Sequence, residues 1–452
     1  MLAAAEPAGG LELSFGLDAA AVQRRLATLA GASAASWAAT PKRFYRFRTE
    51  GFIEPANHDG PPLLAVRGNV PGPAPSKETL REGARAGGEY LLRHLAANGR
   101  FAYEYATTAD QPRGDDYSLP RHAGATYFLA QLYGSTRDPA VAAGAKRALA
   151  FLEAQAPPGC RRPDRACVGG VEDSRVDLGA SALALLAAVE YARTTGDATF
   201  QPWAKRLAAF LRFMQKPAGD FCHRYEPASD RRDEHTRLLY YSGEAAFALA
   251  RFGAPADALR GALDHLTGPQ YGHLAGQFFF LEDHWTCMAA EAAWEVLPPD
   301  RRARYARFCE DFAAFLRRTQ FSDGEAITRA QPDFAGAYGF TPLLPPHGTP
   351  VGSRSETAIS ILAMAERRGA PERVKAALRA QILAGMRFLL SHQITDDAAW
   401  LMPNPEAARG GLLMSDVNRF VRIDFVQHAC SAMLRAADLP SREARDPFRV
   451  PK

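Results

Sequence analysis

The chain alternates two kinds of helical segment along most of its length, and that alternation leaves few folds open to it. One kind is amphipathic and charged. Its members end in Leu91–Leu95, Ala150–Gln155, Ala209–Gln215, Ala314–Gln320 and Arg387–Gln393, with a weaker one at Ala256–Leu263. Each has an apolar stripe and an opposite charged face, as an outer helix should. The other kind is apolar and dense in Ala, Gly and Ser: Ala123–Tyr133, Leu178–Tyr191, Gly243–Phe252, Thr286–Glu295, Thr357–Glu366 and Phe425–Ala436. Small side chains let helix backbones approach closely, which an inner ring needs. The spacing, roughly 40 to 70 residues per pair, is that of a helical array. Six pairs predict an all-α fold, an (α/α)6 barrel or toroid over residues 76–440. An open solenoid is the alternative that periodicity leaves standing.

The connections sharpen this picture. Long loops precede the inner segments, at Asn98–Pro120, Pro157–Val176, Lys216–Arg237, Gly268–Glu282, Ser322–Ser353 and Ile394–Ile423, and mostly short ones follow them. The long loops therefore share one face, where a scaffold of this kind carries its functional groups. Asn98–Tyr105 and Ala218–Tyr225 resemble each other, and each is expected to form a short hairpin there. Ser76, followed by Glu78 and Thr79, is the expected cap of the first barrel helix. Residues 1–75 read as an N-terminal arm or small mixed cap, with a helix at Ala20–Leu29, a strand at Phe44–Arg48 and a linker at Pro71–Pro75; residues 441–452 read as a tail.

Composition excludes several function classes. With 452 residues, 47% hydrophobic and 23% charged, the chain is an ordinary globular one. Its net charge of +4, with no long basic run, predicts no nucleic-acid partner. Nothing approaches the roughly 20 apolar residues of a membrane span, so no transmembrane segment is expected. Met1–Pro7 is not an intact signal peptide, leaving either export with the leader removed or a cytoplasmic location. Cys160 and Cys167 bracket a polar loop and could close a small disulfide, whereas Cys287, Cys309 and Cys430 read as buried small hydrophobes. A phosphate-binding loop, a dinucleotide fingerprint, a nucleophile elbow and a zinc signature are all missing, so neither cofactor nor metal is expected.

The candidate site residues gather where loops become inner helices. Asp283-His284-Trp285 places a carboxylate, an imidazole and an indole together ahead of an Ala-rich run. Tyr240, Tyr241 and Glu244 open another helix, and Asp116 leads into Arg121 and His122. Catalytic candidates are Asp116, Asp283, His284, Tyr240, Tyr241 and Glu244, because carboxylate, imidazole and phenol are the groups that move protons. Substrate-binding candidates are Arg121, His122, Arg237, Trp285, Arg354, Glu356, Arg422, Asp424 and His428. Arginines converging on one mouth would grip a carboxylate in bidentate fashion, or else neutralise neighbouring acids. Asp424 and His428, four apart, share a helical face and read as a pair.

With its six pairs and with Asp116/Arg121/His122, Tyr240/Tyr241/Glu244, Asp283/His284/Trp285 and Asp424/His428 at the mouths, the chain resembles the (α/α)6 toroid of many carbohydrate-active enzymes. These include glycoside hydrolases, polysaccharide lyases, sugar 2-epimerases and uronyl C5-epimerases. The resemblance implies an enzyme acting on a glycan, an anionic uronate-containing one if the arginines bind substrate, by hydrolysis, elimination or epimerisation. Terpenoid cyclases share a similar toroid, but their D-x-D-D run is incomplete in Arg113-Gly114-Asp115-Asp116. A non-catalytic toroid binding a polymer or peptide, or an enzyme on a peptide or isoprenoid, are the other readings.

Overall fold

A computed structural model of the chain describes residues 2–4, 15–17, 51–53, 63–65, 72–113, 116–270, 283–339, 345–399 and 402–439. The expected helix at 20–29, the strand at 44–48, the tail at 441–452, and Asp115 and Glu282 lie outside them. The chain divides into two compact units, Met1–Val66 and Arg67–Lys452. In the first, β1 (Leu2–Ala4) pairs antiparallel with β2 (Phe15–Leu17), and β3 (Gly51–Ile53) with β4 (Leu63–Ala65).

The second unit is built on twelve long helices among the described residues. The outer ones are α1 (Lys77–Arg93), α3 (Pro139–Ala154), α5 (Gln201–Met214), α7 (Ala256–Leu266), α9 (Pro299–Arg317) and α11 (Glu372–His392). The inner ones are α2 (Leu119–Thr136), α4 (Leu178–Thr195), α6 (Tyr241–Phe252), α8 (Trp285–Ala292), α10 (Gly348–Arg367) and α12 (Ile423–Ala436). Each inner helix packs on the next, and α12 packs back onto α2. That contact closes the ring and removes the open solenoid. Ser76 caps α1 through a capping box, its Oγ accepting from the Thr79 N–H at 3.1 Å.

The sequence difference between the two rings has a packing cause. Inner helices are covered on every side, so α4 buries Leu178 through Ala188 without a polar face. Tyr127, Phe247 and Trp285 fill the ring's interior, with centroid separations of 6.4 Å and 5.8 Å along the series. Outer helices have water on one side and keep their charges there.

Successive outer helices are hooked together by a repeated device. Gln215, Gln320 and Gln393 follow α5, α9 and α11, and each donates two hydrogen bonds from Nε2. One goes to a glycine in its own loop, the carbonyls of Gly219, Gly336 and Gly410; the other reaches the next outer helix, at Ala258, Gln381 and Gly83. Those three glycines have φ of 92°, 87° and 81°, and a Cβ on any of them would fall 2.0–2.1 Å from a carbonyl oxygen of that next helix. Only glycine fits such a place.

The loops ahead of the inner helices meet on one face. β5 (Glu104–Ala106) pairs with β6 (Gln111–Pro112) and with β10 (Phe420–Arg422), joining the entrances of α2 and α12. β8 (Arg224–Glu226) pairs with β9 (Arg231–Asp233) and with β7 (Val176–Asp177), joining those of α4 and α6. The two expected hairpins exist, a few residues later than their sequence likeness placed them. Each is pinned alike: Tyr105 donates to Asp110 at 2.6 Å and Tyr225 to Asp230 at 2.8 Å. A Cys160–Cys167 disulfide closes the polar loop. The reading of Cys287 and Cys309 as plain hydrophobes is corrected, because they form a second disulfide between α8 and α9. No helix of the described residues is long and apolar enough to cross a membrane.

Candidate active site at the inner-helix mouths

Glu244 lies in the first turn of α6 and Asp283 immediately ahead of α8, neighbouring helices of the inner ring. Glycines make room for both. A Cβ on Gly243 would come 2.2 Å from Asp283 Oδ1, and one on Gly179 of α4 would come 2.5 Å from Glu244 Oε2. Both of these carboxylate oxygens are buried with no hydrogen-bond partner among the described residues. Burial, and then the Asp283 charge, push the Glu244 pKa up to about 8. Burial pushes Asp283 up to about 7, against the lowering effect of the Thr286 hydroxyl, which donates to Oδ2 at 2.9 Å, and of backbone N–H groups of α8. Carboxylates that carry a proton near neutrality are suited to general acid catalysis.

A second group faces into the ring beside them. The His284 ring lies 4.5 Å from Trp285, 5.9 Å from Tyr240 and 5.1 Å from His428, centroid to centroid, the two imidazoles crossing at 81°. His428 Nδ1 is 2.7 Å from Glu356 Oε2, and Glu356 is fully buried. This pairing depends on Gly352: a Cβ there would come 2.7 Å from the Ala429 nitrogen and the His428 carbonyl carbon, so its lack of one lets α10 and α12 close up.

Two expectations are corrected by helix geometry. α10 begins at Gly348, capped by His347, rather than near Thr357. Arg354 and Glu356 therefore lie well inside the helix instead of ahead of it. Asp424 and His428 are not partners either. Asp424 takes a two-pronged bond from Arg422, at 2.6 and 3.0 Å, and an ion pair from Arg121 at 3.2 Å, while His428 goes to Glu356.

Other candidates turn out to serve the scaffold. His122 points outward and is fully buried; its Nε2 donates to the Ala148 carbonyl at 3.0 Å, and its Nδ1 accepts from the Tyr117 hydroxyl at 2.6 Å. Phe101 and Phe151 flank the ring, and burial drives its pKa down to about 3, so it stays neutral. It packs as a core histidine. Asp116 stays exposed in the loop ahead of α2, apart from the buried carboxylates. Arg237 is ion-paired with buried Asp220 at 3.0 Å. Arg422 also reaches Glu104 at 3.5 Å, and Arg121 contacts the Tyr103 hydroxyl. Arg354 is buried with its guanidinium 5.1 Å from the Tyr338 ring centre. The arginines thus neutralise the chain's own acids or pack on its aromatics. Tyr241 donates to Asp177 at 3.3 Å, and Arg224 donates to the same carboxylate at 3.1 Å.

The sequence reading missed His347, which sits edge-on to Phe425 at 5.0 Å, and the part played by Gly352. A histidine directly before Gly348-Thr349 was the available signal for a helix cap.

No protein-family model and no curated protein sequence matches the chain significantly. Solved structures do match it. It is similar to a sugar epimerase from a ruminal bacterium, at 12% identity and a TM-score of 0.56, over 82% of this chain and 100% of that one. It is similar to a cellobiose 2-epimerase from Bacillus thermoamylovorans, at 11% identity and a TM-score of 0.57, over 80% and 99%. A third likeness is to an unsaturated glucuronyl hydrolase specific for heparin, at 13% identity and a TM-score of 0.55, over 81% and 99%. The chain is an (α/α)6 toroid. At these identities the likeness establishes the fold and leaves the chemistry to the toroid's own residues.

Proposed function

We propose that the toroid is an enzyme that acts on a carbohydrate by general acid–base chemistry at its mouth. The observation that carries this reading is the Glu244–Asp283 pair: two carboxylates on adjacent inner helices, with buried oxygens and pKa values raised to about 8 and 7. Structural ion pairs lower carboxylate pKa values, so two raised ones side by side on adjacent inner helices mark a candidate catalytic site. In a hydrolysis the protonated partner gives its proton to the departing glycosidic oxygen, and the other, once ionised, takes one from the attacking water. Tyr240 and the buried Trp285 pack against His284, the residue next to Asp283. The solved neighbours include a glucuronyl hydrolase and an α-1,6-mannanase, which agrees with a glycan substrate. A uronate would meet Arg121, whose side chain remains 42% exposed while paired with Asp424.

The test is a product assay on wild type, Glu244→Gln and Asp283→Asn with neutral and uronate-containing polysaccharides. Reducing ends report hydrolysis, absorbance of unsaturated uronate reports elimination, and deuterium uptake from solvent reports epimerisation. Activity lost in both variants with the fold intact supports the assignment. Activity indifferent to both substitutions rules the pair out, and binding without turnover on every glycan returns the toroid to a binding role.

A further inference from the structure

We propose that His284, Glu356 and His428 together hold one divalent transition-metal ion at the floor of the mouth. One ligand atom from each residue can be chosen so that all three lie within 4.8 Å of one another. The residues come from three consecutive inner helices, α8, α10 and α12, so the ring itself fixes their spacing. Donors such as Glu356 Oε2 and His428 Nδ1, 2.7 Å apart, can both reach an ion about 2.1 Å away.

Glu356 supplies the independent reason. It is fully buried, its Oε1 has no hydrogen-bond partner among the described residues, and its Oε2 faces an imidazole. Arg435 lies close by but donates to the Glu356 backbone carbonyl and to the Ser360 hydroxyl. A buried carboxylate needs compensating charge. A dication between Glu356 and two imidazoles provides it. Two nitrogen donors and one carboxylate favour zinc, manganese, iron or cobalt over magnesium and calcium, which prefer all-oxygen sites. The expectation of no metal rested on the absence of a zinc signature in the sequence, and these three residues, spread over 144 positions, form none.

Metal binding is read without substrate, so it stands or falls apart from the carbohydrate assignment. Chelator-treated full-length protein is titrated with cobalt(II) and followed by visible absorption, and with zinc(II) by calorimetry. Wild type should bind one ion per chain. Glu356→Gln, His428→Asn and His284→Asn should each weaken binding by more than about tenfold, since losing even a residue that only orients a ligand costs that much. Circular dichroism and melting curves verify each fold. A folded wild type that binds no stoichiometric cobalt or zinc overturns the proposal, as does binding that survives all three substitutions.

Discussion

Glu356 and His428, 72 residues apart in sequence, meet at 2.7 Å because Gly352 lets α10 and α12 touch backbone to backbone. Gly352→Ala would force the helices apart, since the new methyl would meet backbone atoms of His428 and Ala429 that cannot rotate away. Overpacking of this kind costs about 1–3 kcal/mol. Chemical denaturation should show that loss, and turnover should fall with it. Unchanged stability would mean that the helices separate freely and that the contact does not position the pair.

Stability should decline as pH rises from about 5 to 8. Glu244 and Asp283 have folded pKa values of about 8 and 7, above their ordinary values of 4.5 and 3.8. The unfolded chain has released these protons by about pH 5, while the folded chain holds that of Asp283 to about 7 and that of Glu244 to about 8, so the folded state loses ground with each step upward. The slope is at most about 1.4 kcal/mol per pH unit per proton. Glu244→Gln should flatten it, and urea melts at a series of pH values measure the difference. Parallel curves for wild type and variant would place Glu244 among ordinary carboxylates.

Activity should fall on the alkaline side through the same range, as the proton-bearing carboxylate ionises. A pH–rate profile flat from pH 6 to about 9 would contradict a carboxylic acid as proton donor.

His122 and His284 should respond oppositely to alanine. His122→Ala removes a flanked ring and two buried hydrogen bonds, and should cost about 2–4 kcal/mol while leaving the activity of the folded fraction intact. His284→Ala should abolish turnover and leave the melting curve nearly in place. The reverse pattern would exchange their roles.

Reduction of the Cys287–Cys309 bond, which links residues 22 apart, should lower stability by about 3 kcal/mol on the loop-entropy scale. Melting a Cys160→Ser/Cys167→Ser variant, in which only this bond remains, with and without a reductant tests this, and peptide mapping identifies the bond. Identical melts would show that it contributes nothing to the folded state.

These contrasts mark what the sequence could reveal. The helix pairs were readable because an inner helix covered on all sides has no polar face, and composition records that. The closure of α12 onto α2 leaves no periodic trace. His122 and His284 occupy similar places, each near the start of an Ala-rich helix, but a rotation about the helix axis decides which one faces the lumen. Helix faces are ambiguous when nearly every face is apolar. The run Gly348-Thr349-Pro350-Val351-Gly352 reads as a loop, yet it forms the first turns of α10. Proline is tolerated in a first turn, and Gly352 is required by a neighbour the sequence does not show. Cys287 and Cys309 looked like core residues for the same reason: their meeting depends on how α8 and α9 pack.

Lys77 at the start of α1 lies 2.8 Å from Asp438 just beyond α12, and Gln393 hooks α11 onto α1 as its counterparts hook α5 onto α7 and α9 onto α11. The ring therefore has no first or last pair. The point at which the polypeptide enters and leaves is one seam among six. A circularly permuted toroid, with residues 77 and 438 bridged by a short linker and new ends cut after any inner helix, would keep every one of these hooks.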